Sequence, residues 1–109
     1  MTFGIIGSGA FGTALSISLS STNKKLILWT RNQDVVNSVQ EIRENRLRLP
    51  GYILPQNITV TNDINQMGNC SIILIAVPMQ QLRSVVELHR SSLEGKILVA
   101  CCKGFEVST

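Results

Sequence analysis

Aromatic and charged residues are both scarce in this sequence of 109 residues, which has one Trp, one Tyr, three Phe and 16% charged side chains. That scarcity argues against a nucleic-acid binder, which gathers basic residues into a stripe interleaved with aromatic platforms. The ten Lys and Arg residues are dispersed instead, except around Arg43, Arg46 and Arg48, and the formal charge of +3 is mild. It suits attraction of a phosphorylated small molecule. Long hydrophobic runs are lacking too. The run from Ile72 to Val77 is far shorter than the roughly 20 residues a membrane span needs, so none is expected. The opening Met1-Thr2-Phe3-Gly4 carries neither a basic leader nor a small-residue cleavage site. With an odd count of three cysteines, this reads as a cytoplasmic protein with reduced thiols. Cys70 and the adjacent Cys101 and Cys102 read as small buried or half-buried residues, because neither a redox pair nor a metal site has that spacing, and no metal is expected. Internal repeats, low-complexity segments and an interdomain linker are absent as well.

What is present is a composition that is 44% apolar, fitting one globular domain over residues 1–109. Its apolar pattern alternates between strand and helix. Thr2 to Ile6 is a β-prone run ending at a glycine cluster, and Phe11, Ala14, Leu15, Ser18 and Leu19 then recur at helical spacing. Lys25 to Thr30 reads as a second strand, and Val35, Val36, Val39 and Ile42 mark one face of a second helix with Asp34 in its first turn. A looser stretch from Leu47 to Pro55 leads to a strand at Ile58 to Thr61 and a brief helix capped by Asn62 or Asp63. Ser71 to Val77 is the near-continuous apolar run of a parallel strand covered on both faces. Pro78 suits a helix start, Leu82, Val85, Val86, His89 and Leu93 form one stripe, and Ile97 to Cys102 closes the series. Five strands alternating with helices predict an α/β doubly wound parallel sheet of the Rossmann type.

Gly7-Ser8-Gly9-Ala10-Phe11-Gly12 matches GxGxxG between the first strand and the first helix. In that setting Gly7 makes the tight turn, Gly9 lets a pyrophosphate approach the backbone, and Gly12 lets helix and strand pack closely. The helix N-terminus that follows directs free N–H groups at phosphate. Dinucleotide-binding proteins usually place an acidic residue at the end of the second strand, to bond the ribose hydroxyls. Here Leu28-Trp29-Thr30-Arg31-Asn32 offers Arg31, a guanidinium able to pair with a 2′-phosphate and stack on adenine, which favours NADP over NAD. A solvated arginine at a helix entrance is the competing reading, and NAD could bind without the acidic hook. Gly7 to Gly12, Arg31 with Asn32, Pro78 and Lys103 all follow strands, at the carboxyl edge where open α/β sheets bind ligands.

Together these blocks resemble the NAD(P)-dependent glycerol-3-phosphate dehydrogenases: Ile6-Gly7-Ser8-Gly9-Ala10-Phe11-Gly12-Thr13-Ala14-Leu15, Leu28-Trp29-Thr30-Arg31, Leu49-Pro50 with Leu54-Pro55-Gln56-Asn57-Ile58, Ala76-Val77-Pro78, and Lys103-Gly104-Phe105-Glu106. The resemblance covers essentially the whole chain but only the first part of the family's pattern. It implies an oxidoreductase that interconverts dihydroxyacetone phosphate and sn-glycerol 3-phosphate for phospholipid synthesis. It further implies that Ala10, Phe11, Arg31 and Lys103 contact the cofactor, with Lys103 also reaching the substrate. At Arg48 the family commonly has an aromatic residue, and the cation there is compatible with a 2′-phosphate. The family's helical second domain, with its proton-transferring lysine, is absent from residues 1–109. No catalytic residue is therefore assigned, and turnover by this chain alone is not expected. A stand-alone nucleotide-binding module or pseudoenzyme subunit is the alternative, and a ketopantoate reductase a third. A homo-oligomer or a separate chain supplying the missing domain would be the protein partner. His89 and Trp29 read as packing residues, His89 far from the carboxyl edge of the sheet. The surface left without the second domain is expected to favour self-association.

Overall fold

Thr2, Phe3, Ile5 and Ile6 suit a pleated, half-buried surface, and they form β1 (Thr2–Ile6). The strand stops at Gly7, whose φ of 115° lies in a region L side chains rarely adopt. The chain then turns into α1 (Ala10–Ser20). In this computed structural model residues 2–7, 9–21, 25–77 and 79–101 are described, with the backbone alone for residues 79 and 80. The candidate residues Ser8, Pro78 and Lys103, and also Cys102, lie outside the described residues.

The remaining elements follow as β2 (Lys25–Trp29), α2 (Gln33–Ile42), β3 (Ile58–Thr61), a 3-10 helix (Ile64–Asn69), β4 (Cys70–Ile75), α3 (Met79–Leu88), α4 (Arg90–Leu93) and β5 (Ile97–Ala100). All strand pairs are parallel, in the order β3-β2-β1-β4-β5. The chain therefore runs outward from β1 in one direction, then returns to β1's other side at β4. That reversal is the switch point, and the glycine turn sits on it. Register brings the strand ends into line, Ile6 pairing with Trp29 and Ile75, Trp29 with Thr61, and Ile75 with Ala100.

Alternation along the strands sends side chains to two cores. Ile5, Leu26, Leu28, Ile58 and Val60 meet Val35, Val36 and Val39 of α2 on one face. Ile6, Trp29, Ile73 and Ile75 meet Met67 of the 3-10 helix and Leu93 of α4 on the other. Burying each such aliphatic side chain contributes about 1.5–3 kcal/mol before chain entropy is counted. The helices have identifiable ends. Asn32 Oδ1 accepts from Asp34 N at 2.9 Å to cap α2, and Asp34 adds a favourable charge to its first turn. Asp63, not Asn62, caps the 3-10 helix by accepting from Asn65 N at 3.0 Å.

The structure differs from the sequence reading at four places. On α1 the buried residues are Gly12, Thr13, Ser16 and Ser20, while Phe11, Leu15 and Leu19 are half-buried and Ala14 and Ser18 exposed. Small residues win this face because the helix lies against the end of β1, where a Cβ at Gly12 would run into the Gly7 carbonyl oxygen. The hydroxyl of Ser16 is satisfied there by donating to Gly12 O at 2.9 Å. The stripe from Leu82 to Leu93 is split at His89 into α3 and α4. Coverage of β4 is uneven: Ile73 and Ile75 are buried, whereas Ile72 and Leu74 are half-buried. Finally, β5 ends at Ala100, and all four of its residues are exposed.

Candidate functional site

The carboxyl ends of β1, β2 and β4 open into a cleft of about 400 Å³, within the size range of ligand pockets. Gly7 and Gly9 form its floor at the turn into α1, Trp29 to Asn32 one side at the end of β2, and Ala76 and Val77 the exit from β4. Arg48 lines it from the loop between α2 and β3, and Gln81, Val85, Leu88 and His89 line it from α3 and just beyond.

Each floor glycine has its own steric reason. A side chain at Gly7 would collide with the Ala76 carbonyl oxygen as well as meeting an adverse φ, so this position locks β1 to the exit of β4. Gly9 is different, because a Cβ there would meet nothing within 4 Å and its φ of −65° suits any residue. The fold does not need glycine at this position. What the missing side chain leaves is open space beside the first turn of α1, where backbone N–H groups lack partners within the helix. That turn has no side-chain cap and no acidic residue, whereas α2 has both. A helix start of this kind can accept an anion.

The electrostatics of the walls agree. Among the described residues the lining includes Arg31 and Arg48 and no Asp or Glu. Both arginines are exposed, so they retain the conformational freedom to close on a ligand. The basic group Arg43, Arg46 and Arg48 does not act as one cluster. Arg43 adopts a left-handed conformation at the end of α2, with φ 55°, and its guanidinium donates to Leu54 O at 3.3 Å, Ile58 O at 2.8 Å and Pro55 O. Only Arg48 of the three lines the cleft.

Of the residues expected to contact a dinucleotide, Gly7, Gly9, Arg31, Asn32 and Arg48 come together around this space. Ala10, Phe11 and Gly12 are not among its lining. Ala10 is exposed, Phe11 packs half-buried against the core on the α2 face of the sheet, and Gly12 sits against Gly7. Asn32 faces the cleft with its Oδ1 already engaged by α2. His89 corrects the sequence reading, since it lines the same cleft as Gly7 and Gly9 at the strand ends. Its ring packs edge-on against Trp29, with centroids 4.8 Å apart and planes at 71°. A stripe pattern says which side of a helix is apolar, not which strand end that side reaches. Gln81, Val85, Leu88 and His89 fall at i, i+4, i+7 and i+8, and that spacing was the available signal for a helix wall.

Trp29 is buried, and among the described residues its Nε1 has no hydrogen-bond partner. Cys70 is buried at the start of β4, and loss of solvent pushes its thiol pKa above the ordinary value, partly opposed by the nearby Lys96 ammonium. Lys96 Nζ donates to Gly68 O at 2.9 Å and Cys70 O at 2.7 Å, a structural tie remote from the cleft lining. Among the described residues there is no group of His, Cys, Asp or Glu that could hold a metal ion, and no helix is long and apolar enough to cross a membrane.

Comparison with known proteins places this geometry. Residues 2–109 match the family model of the NAD-dependent glycerol-3-phosphate dehydrogenase N-terminus. The glycerol-3-phosphate dehydrogenase [NAD(P)+] of Ruegeria sp. (strain TM1040) is 46% identical over 109 residues, covering 100% of this chain and 34% of that protein. Among solved structures, the glycerol-3-phosphate dehydrogenase of Coxiella burnetii superposes with a TM-score of 0.84 at 27% identity, over 94% of this chain and 34% of that one. A ketopantoate reductase from Ralstonia eutropha superposes at 0.71 with 20% identity, over 90% of this chain and 33% of that one, a likeness of fold alone. The chain thus spans about a third of the length of the dehydrogenases it matches. With the glycine turn at the switch point and a match over residues 2–109, the chain belongs to the NAD-dependent glycerol-3-phosphate dehydrogenase family, in its N-terminal part.

Proposed function

We propose that this chain is the cofactor-binding part of a dehydrogenase interconverting sn-glycerol 3-phosphate and dihydroxyacetone phosphate, in the service of glycerophospholipid synthesis, and that it prefers NADP(H) to NAD(H). The observation that carries the reading is the open backbone at Gly9 sharing one cleft with Arg31 and Arg48, with no carboxylate among the described lining residues. The pyrophosphate would rest on the turn from Gly7 to Gly12, including Ser8, with Ala10 and Phe11 at the first turn of α1. Arg31 and Arg48 would hold the adenosine end and its 2′-phosphate, beside Asn32. Pro78 would border the same space, and Lys103 would contact both cofactor and substrate oxygens.

When bound, the nicotinamide supplies or accepts a hydride. The described residues contribute binding, orientation and a shielding wall from α3, and none is assigned to proton transfer. Hydride transfer needs a proton donor held on the substrate oxygen as well. The isolated chain should therefore bind cofactor and fail to oxidise NADPH with dihydroxyacetone phosphate. The reading places it in the cytoplasm, working with the remainder of such an enzyme.

Side-by-side calorimetric titration with NADPH and NADH tests this. Saturable binding of both, tighter for NADPH, supports the proposal. Arg31→Asp should then weaken NADPH by about tenfold or more, the equivalent of one charge-assisted hydrogen bond, and affect NADH less. Equal losses for both would remove the 2′-phosphate role.

A further inference from the structure

Asn45 is out of place for a loop residue. Between Glu44 and Ile53 the chain forms an excursion closed by an isolated bridge of these two residues, and Leu47, Tyr52 and Ile53 are exposed along it. Asn45 alone in that segment is buried, with no exposed surface at all. A buried amide needs partners for both ends, or desolvation counts against the fold. Here each end holds a different part of the cleft. Nδ2 donates to Thr13 Oγ1 at 2.8 Å, on the turn of α1 that follows Gly12. Oδ1 accepts from Arg48 N at 3.2 Å, and the Asn45 carbonyl accepts from Arg48 N at 3.3 Å and Leu49 N at 2.8 Å. One side chain thus connects the helix of the glycine turn to the backbone that carries Arg48.

We propose that Asn45 is a positioning residue of the cofactor site, holding the turn that bears Arg48 against α1 so that the guanidinium stays over the cleft. The proposal rests on the reading that Arg48 meets the adenosine end of the dinucleotide. Arg48 is exposed and lines the cleft from a loop whose Leu47, Tyr52 and Ile53 are exposed as well. Without the amide, its backbone would lose the side-chain acceptor and the link to α1. The guanidinium would then reach its ligand only after ordering a mobile turn, and affinity would fall by that ordering cost. An apolar residue of similar size could fill the space, but it could not bond Thr13 and Arg48 at once.

The test is a double-mutant cycle read by calorimetric binding of NADPH to Asn45→Ala, Arg48→Ala and the double variant, each shown to be folded by circular dichroism. If Asn45 acts through Arg48, each single change weakens binding by about tenfold and the double variant is no weaker than Arg48→Ala. A purely structural role would multiply the two losses, and that result overturns the proposal while leaving the cofactor reading intact. Should Arg48→Ala bind NADPH as well as the parent chain, both fall together. If Asn45→Ala does not fold, Thr13→Val removes the same link from the other side and should show the same coupling to Arg48. Thr13→Ser, which keeps the hydroxyl, should restore parental affinity, and failure to do so counts against the link.

Discussion

The two edge strands of the sheet differ: β3 is mostly buried and has its Ile58 carbonyl capped by Arg43, whereas all four residues of β5 are exposed. Leu26 N donates to Asn57 O and Thr30 N to Thr61 O, so the intervening Ile58 carbonyl points away from β2, and there the Arg43 guanidinium takes it. On β5, Ile97, Leu98 and Val99 are 61%, 37% and 41% exposed, so side chains on both faces of the strand keep contact with solvent. The half of the sheet from β1 to β3 is closed by its own helices and by one arginine. Among the described residues the half containing β5 ends in an apolar edge strand, a recognised template for pairing with other chains. The cleft straddles the two halves. Its floor and its Arg31 side belong to the closed half, and its α3 wall belongs to the open one. The floor and the Arg31 side of the cleft therefore rest on the better-covered half, and the opposite wall on the less covered one.

The sharpest way to break this comparison is at the glycine turn. Gly12→Ala pushes a methyl group into the Gly7 carbonyl oxygen and should cost about 1–3 kcal/mol or more in denaturant unfolding, as overpacked core sites do. Gly9→Ala meets no neighbour, and it should leave the unfolding midpoint essentially unchanged while weakening NADPH binding at least tenfold, since only the ligand would meet the methyl. Arg43→Ala comes next. Leaving the carbonyls of Leu54, Pro55 and Ile58 without their charged donor should cost about 1–3 kcal/mol, read in the same unfolding assay. If it costs nothing, the β3 edge is not held by that residue.

The pH dependence tests the other half. The folded-state pKa of the Cys70 thiol is raised by burial, so the unfolded chain ionises at lower pH than the folded one. The stabilisation is full below the unfolded pKa and is lost as pH rises through the folded value. Unfolding midpoints of the parent chain should therefore fall more steeply at alkaline pH than those of Cys70→Ala. The smallest effect on stability belongs to Val99→Lys on β5, within about 0.5 kcal/mol for an exposed position. Its effect should appear instead in sedimentation, as reduced self-association, because a lysine on an edge strand discourages pairing.

The closed half was legible because local signals agreed. The run at Thr2 to Ile6, the spacing of Gly7, Gly9 and Gly12, and the Val35, Val36 and Val39 face each specify an element without long-range information. Legibility failed wherever the outcome depended on distance through space. Apolar spacing on α1 singles out Phe11, Leu15 and Leu19, yet close approach to β1 selects Gly12, Thr13 and Ser16 for burial. Arg43, Arg46 and Arg48 read as one basic group, but a left-handed cap sends Arg43 to carbonyls up to fifteen residues away and leaves Arg48 to the cleft. Asn45 carries no motif at all, since its partner Thr13 is thirty-two residues distant. His89 was misplaced because helix periodicity does not report the level at which a helix crosses a sheet.

The sole tryptophan, Trp29, lines the cleft and reports directly on its occupation. Titrating the folded chain with NADPH while exciting the indole should give saturable quenching of Trp29 emission with energy transfer to the reduced nicotinamide, and Gly9→Ala should need at least tenfold more nucleotide to reach the same signal. Unchanged emission from soluble, folded protein at saturating NADPH would contradict the assignment of this cleft as the dinucleotide site.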